Sequence, residues 1–153
     1  SIYVYYYKSK NSQNFAYALQ RESLFPNTNL RMFALNTQKL GIPVTYLFSE
    51  TIDKDELLQL HEHVKVHKSY PTLTDIKMDL LKGRAVVVSL RMNALNSAAP
   101  RKNFFAVLTG YNKEGFFMLD YSFSRSKKTF VPRAVLEKAW VASKYLECAI
   151  IKK

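Results

Sequence analysis

Cysteine, glycine and acidic residues are all scarce in this chain of 153 residues, and each scarcity excludes something. A lone Cys148 cannot close an intramolecular disulfide, so stability has to come from a packed core, and the thiol usage suits a reducing or redox-indifferent compartment. Four scattered glycines supply no Gly-rich phosphate cradle, and no carboxylate pair stands ready to hold a catalytic metal. Twelve Asp and Glu against 23 Lys and Arg leave a net charge of +11, which attracts nucleic acid, acidic protein or anionic lipid without choosing among them. No apolar run approaches the roughly 18 residues of a membrane span, so no transmembrane segment is expected. The first residues lack a signal-peptide pattern, and the chain opens on Ser1, as a processed form or a piece of a longer chain would. An intracellular setting is expected, with the mitochondrial matrix among the candidates, and no pattern in the chain fixes an oligomeric state.

What is present is apolar and aromatic. A 48% apolar content, with ten Tyr and ten Phe, predicts one packed domain over 1–153 without linkers or repeats. Ile2 to Tyr7 reads as an opening strand. A helix capped by Asn11 or Ser12 follows, with Phe15, Ala18 and Leu19 at helical spacing before Pro26. A second helix starts near Thr28, carries Leu30, Phe33, Ala34 and Leu40 and stops at Gly41; a strand from Ile42 to Phe48 is entered through Pro43. Asp53 to His61 predicts a short helix, and from His63 the pattern alternates as in a strand, with Val64 and Val66 on one side. Thr72 to Lys82 is a helix closed by Gly83, and Ala85 to Leu90 is an apolar run suited to a strand covered on both faces. Asn103 to Tyr111 and Gly115 to Asp120 are strands joined by a tight hairpin in which Gly115 is expected to take a positive φ. After a basic loop, Phe130 and Val131 pair briefly, and Pro132 opens a helix bearing Val135, Leu136 and Trp140. Tyr145 to Ile151 completes the sheet, with Cys148 as a buried apolar thiol. The expected class is α+β, with helices mainly first, packed on an antiparallel sheet of about five strands.

Three stretches, LLKGRAVVVSL, KNFFAVLTGYNKEGFFMLD and FVPRAVLEKAW, resemble the second half of a papain-like cysteine peptidase of the C39-like type. With Val64-Lys-Val, Asp75-Ile76 and Gly83 upstream, the order is similar to the branch called guanylyl-cyclase-domain-containing proteins. The resemblance implies a papain-like fold with a Cys at the start of the first long helix, a His opening the middle strand and an Asp or Asn closing the next. Against that pattern, SQNFAYAL puts Gln13 at the cysteine, and Phe104 to Tyr111 match His-Phe-Val-Val-Leu-x-Gly-Tyr with Phe104 at the histidine. Asp120 holds the acid position. A phenyl ring has no proton to move, and Ser12, the nearest hydroxyl, already serves as a cap. The resemblance therefore implies the scaffold without nucleophile or base, and no catalytic residue is expected.

His61, His63 and His67 do not share one helix face, and on a strand His63 and His67 stand about 13 Å apart, too far for one zinc ion. No metal or cofactor is expected. Arg101 and Lys102 precede one strand, and Arg125, Lys127, Lys128 and Arg133 follow the next, which predicts a positive binding rim, with Tyr121 or Phe123 placed to stack a base. The reading is a catalytically inactive C39-like domain that binds protein or extended peptide, or serves as a structural module, within a larger assembly. Two alternatives stay open: a hydrolase with a relocated nucleophile, built on Ser12 and Asp120, and a basic subunit associated with RNA or other nucleic acid.

Overall fold

The first described helix, α1 (Leu30–Lys39), begins where Asn29 accepts the Met32 N–H on its Oδ1 at 2.9 Å, so the side chain satisfies one of the amides that a helix start leaves open. The computed structural model describes residues 29–39, 41–49, 54–68, 71–120, 127–144 and 146–151. The expected opening strand, the helix before Pro26, Ser12, Gln13, Tyr121, Phe123 and Arg125 lie outside the described residues. After α1 come β1 (Val44–Phe48), α2 (Lys54–His63), β2 (Lys65–Lys68), α3 (Leu73–Leu81), β3 (Ala85–Arg91) and α4 (Met92–Leu95). Then follow β4 (Asn103–Tyr111), β5 (Gly115–Asp120), β6 (Lys127–Pro132), α5 (Arg133–Ala142) and β7 (Cys148–Ile151).

The strands form one sheet in the order β2-β1-β7-β3-β4-β5-β6. Among the described residues seven strands replace the five or so expected. Of the two edge strands, KVHK in β2 is the alternating segment expected from His63, and KKTFVP in β6 extends the brief pairing expected of Phe130 and Val131 back to Lys127, into the expected basic loop. The sheet is also not wholly antiparallel, since β1 and β2 run parallel, joined by α2 as a crossover. The class is α+β, but helices and strands interleave rather than segregate.

Two cores flank the sheet. Leu30, Phe33 and Leu60 of α1 and α2 pack on Val44, Tyr46, Val87, Val107 and Ile151 of one face. Ile76, Leu80, Leu136 and Trp140 of α3 and α5 pack on Val86, Leu90, Leu108, Phe116 and Cys148 of the other. Residues Ala85 to Leu90 are buried without interruption, because β3 lies inside the sheet and is covered on both faces. The C-terminal β7 inserts between β1 and β3 and bonds to both.

Helix α3 shows how local chemistry sets its ends. Thr72 Oγ1 accepts from Asp75 N and Asp75 Oδ2 accepts from Thr72 N, both at 3.1 Å, a reciprocal cap. The chain leaves through Gly83 at φ 76°, a conformation with little cost for glycine alone. Gly115 needs a different explanation from the positive φ expected of it, since the positive-φ glycines are Gly41 and Gly83. A Cβ on Gly115 would stand 2.2 Å from Val131 O and 2.9 Å from Pro132 Cα, so the glycine is there to let β6 approach. The hairpin itself is held by Asn112, whose Oδ1 accepts the amides of Glu114 and Gly115.

Candidate functional site

Phe104 is the second residue of β4, faces Leu90 of β3 across the ladder and is buried. Its position follows from alternation: Phe104, Ala106 and Leu108 enter the core beneath α3 and α5, and Phe105 turns to the other face, edge-on to Phe33. The ring forms part of the wall of a partly open cavity of about 240 Å³. Met92 and Leu95 of α4 make one side, Met118 of β5 and Val131 of β6 the floor, and Val135 of α5 the far side. Among the described residues no charged side chain lines it. Phe104 is thus a packing position. Asp120 ends β5 opposite Lys127 in the ladder, and Gln13 lies outside the described residues.

Cys148 is not placed as a nucleophile. It lies on β7 between Leu47 and Val88 with no exposed surface, and burial pushes its thiol far above the usual range, the reverse of what activates a nucleophile. His61 and His63 lie in the last turn of α2 and His67 in β2, all exposed. His63 therefore ends a helix rather than starting the strand expected from it. Among the described residues no three His, Cys, Asp or Glu side chains converge on a metal position.

The basic residues divide between the two ends of the sheet. Arg101 and Lys102 lead into β4, and Lys102 O accepts the Met92 N–H at 2.9 Å, which ties this segment to a residue that lines the cavity. Lys127 and Lys128 open β6 at the same end, where Lys127 faces Asp120. Arg91 ends β3 there too, opposite Asn103, a cation that the sequence hid at the close of an apolar run. Arg133 stands at the other end of β6, about 20 Å along the strand from Lys127 at roughly 3.3 Å per residue. Arg101, Lys102 and Arg133 are exposed, and Arg125 lies outside the described residues.

A second polar site was not expected. Arg31, Tyr46 and Glu147 are buried together beneath α1. Arg31 Nε meets Glu56 Oε1 at 2.6 Å, Arg31 Nη1 meets Glu147 Oε2 at 3.1 Å, and the Tyr46 hydroxyl donates to the same Glu147 oxygen. The approach to Glu147 is conformationally costly: Lys144 and Leu146 both have positive φ, at 88° and 42°, where side chains other than glycine are disfavoured. Trp140 Nε1 then fixes the turn by donating to Glu147 O at 2.9 Å. Burial raises the Glu147 carboxyl, opposed by the Tyr46 hydroxyl and the Arg31 charge; burial and then the charge of Glu147 push the Tyr46 phenol well above its usual range. Burial works against the Arg31 cation, yet the bond to Glu56 and the charge of Glu147 outweigh it and raise its pKa. The cluster joins α1, α2, β1 and the entry to β7, and it is closed to solvent except at Glu56.

No protein-family profile matches the chain, and no curated protein matches it either. Among solved structures the chain is similar to a Bacillus anthracis protein assigned to the C39-like peptidases, at 18% identity and a TM-score of 0.45, over 54% of this chain and 48% of that one. The chain thus spans about half the length of that protein.

Proposed function

We propose that residues 1–153 are a catalytically inactive C39-like domain with a papain-like fold, kept as a module that binds protein or extended peptide inside a larger assembly. The observation that carries this is the Phe104 ring, which is buried in the wall of an apolar cavity; the sequence resemblance gives the base of a peptidase that same position. The only thiol in the chain supports the same reading, because Cys148 is buried in the sheet interior with its pKa raised. An apolar cavity beside an open strand edge needs neither nucleophile nor base to hold a peptide; it needs backbone groups and a pocket.

The test is chemical. The native protein should stay unlabelled by serine-directed fluorophosphonates and by iodoacetamide, with Cys148 reacting only after unfolding. Labelling at Ser12 that disappears in Ser12→Ala would overturn the proposal in favour of a relocated nucleophile.

A further inference from the structure

The outer edge of β6 and the cavity beside it are placed to meet one ligand, and we infer that this ligand is an extended acidic peptide segment anchored by one large apolar residue. This rests on the binding-module reading above and adds the chemistry and register of what is bound.

Strand β6 ends the sheet order, and among the described residues nothing pairs with its outer side. One hydrogen bond fixes which groups that side offers. Arg133 N donates to Glu114 O at 3.0 Å, so the facing residues Gly115 and Pro132 are a non-hydrogen-bonded pair, and the kind alternates along the ladder. Val131, Thr129 and Lys127 therefore turn their amides and carbonyls to β5, while Lys128 and Phe130 turn theirs outward. Pro132 adds a carbonyl and no N–H, which ends the usable edge.

An added antiparallel strand bonds to Lys128 and Phe130, and its side chains are then directed by the pleat. A ligand residue opposite Thr129 or Val131 points to the face where Val131 lines the cavity. Its neighbours point to the other face, with Phe130, whose ring packs against Phe117 at 5.4 Å between centroids. The cavity sets the size of the anchor: an apolar void of about 150 Å³ holds benzene, so about 240 Å³ takes one aromatic or long aliphatic side chain. That is too small and too apolar for a nucleotide.

Charge selects the rest of the segment. Arg101 and Lys102 lead into β4 and are tied to cavity-lining Met92 through Lys102 O, Lys127 and Lys128 open the strand, and Arg133 follows its end. A second copy of this chain, also at +11, is repelled from such an edge. A nucleic acid would use the charge but neither the strand edge nor the apolar cavity.

Short synthetic peptides alternating Glu with Phe, capped at both ends, are titrated into the isotope-labelled intact protein and followed through backbone amide shifts. The expected result is saturable shifts at Lys128 and Phe130 and affinity that falls as salt rises. N-methylation of the peptide amides that face the edge should weaken binding about tenfold, as loss of one hydrogen bond does, while N-methylation at the anchor Phe, whose N–H points away, leaves it unchanged. Val135→Trp fills the cavity and should weaken the Phe-anchored peptide by about tenfold or more, with binding recovered by a peptide carrying Ala at the anchor. Binding indifferent to edge-facing N-methylation, or shifts confined to other strands, overturns this inference and leaves the binding-module reading standing. So does equal affinity for peptides with Lys in place of Glu, tighter binding of an RNA oligonucleotide at the same residues, or no binding by any peptide of the series. Cleavage of the peptide overturns the underlying reading instead.

Discussion

Replacing Arg31 by Met removes the cation shared by Glu56 and Glu147 while keeping most of the side-chain volume. Glu147 is buried and is left with the Tyr46 hydroxyl as its side-chain partner, and breaking a buried pair from one side costs about 3–5 kcal/mol. Protonation limits that cost. A carboxyl with an unfolded pKa of about 4.3 can be neutralised at pH 7 for about 3.7 kcal/mol, at 1.36 kcal/mol per pH unit, and at pH 5 for about 1 kcal/mol. Loss of the more exposed Glu56 contact adds no more than about 1 kcal/mol. Arg31→Met should therefore destabilise by about 4 kcal/mol at pH 7 and by about 1–2 kcal/mol at pH 5. The direction follows from the raised carboxyl: the folded variant binds a proton that the unfolded chain releases above pH about 4.3, so stability is regained as pH falls. Urea unfolding of both proteins at the two pH values measures this directly. A loss under about 1 kcal/mol at pH 7, or a loss that grows on acidification, would refute the buried-carboxylate account.

Alkali should act through two groups raised by burial, Cys148 and Tyr46. Their ordinary values are about 8.5 and 10, so stability should decline by about 1.4 kcal/mol per pH unit above the first and about twice that above the second, read from urea midpoints between pH 8 and 11. Phe104→Ala should cost about 3 kcal/mol, the low end for a buried Phe because the cavity is partly open, which lowers the melting temperature by roughly 6–12 °C in calorimetry. Phe104→His should add no peptidase activity toward chromogenic substrates, since Cys148 is buried within the sheet. Gly115→Ala forces a Cβ onto the backbone of Val131 and Pro132 and should cost about 3 kcal/mol, with hydrogen exchange accelerated along β6.

What could be read from the sequence was whatever its own neighbourhood determines. β3 declared itself because burial on both faces demands an unbroken apolar run, and α3 because Thr72 and Asp75 form a cap within four residues. β4 and β5 were visible from their apolar content and the turn chemistry of Asn112. β2 was visible in its alternation, whereas the start of β6 was obscured because Lys127 and Lys128, on an edge strand, look like loop residues. α4 was missed because four residues make no periodicity and no side chain caps it. The Glu147 cluster gave no signal, because its partners lie 101 and 116 residues away in the sequence. Gly115 was assigned the wrong reason because the close approach of β6 is a long-range fact. Phe104 was legible as a residue of an apolar strand, whereas the cavity beside it is assembled from α4, β4, β5, β6 and α5, which no local pattern connects.

The most direct measurement is mass spectrometry of the acidic, Phe-anchored peptides after prolonged incubation with the intact protein at neutral pH, under conditions where amide shifts show them bound. The account predicts intact peptides in full recovery. Cleavage products that vanish when Ser12 is replaced by Ala, or that depend on Asp120, would contradict it.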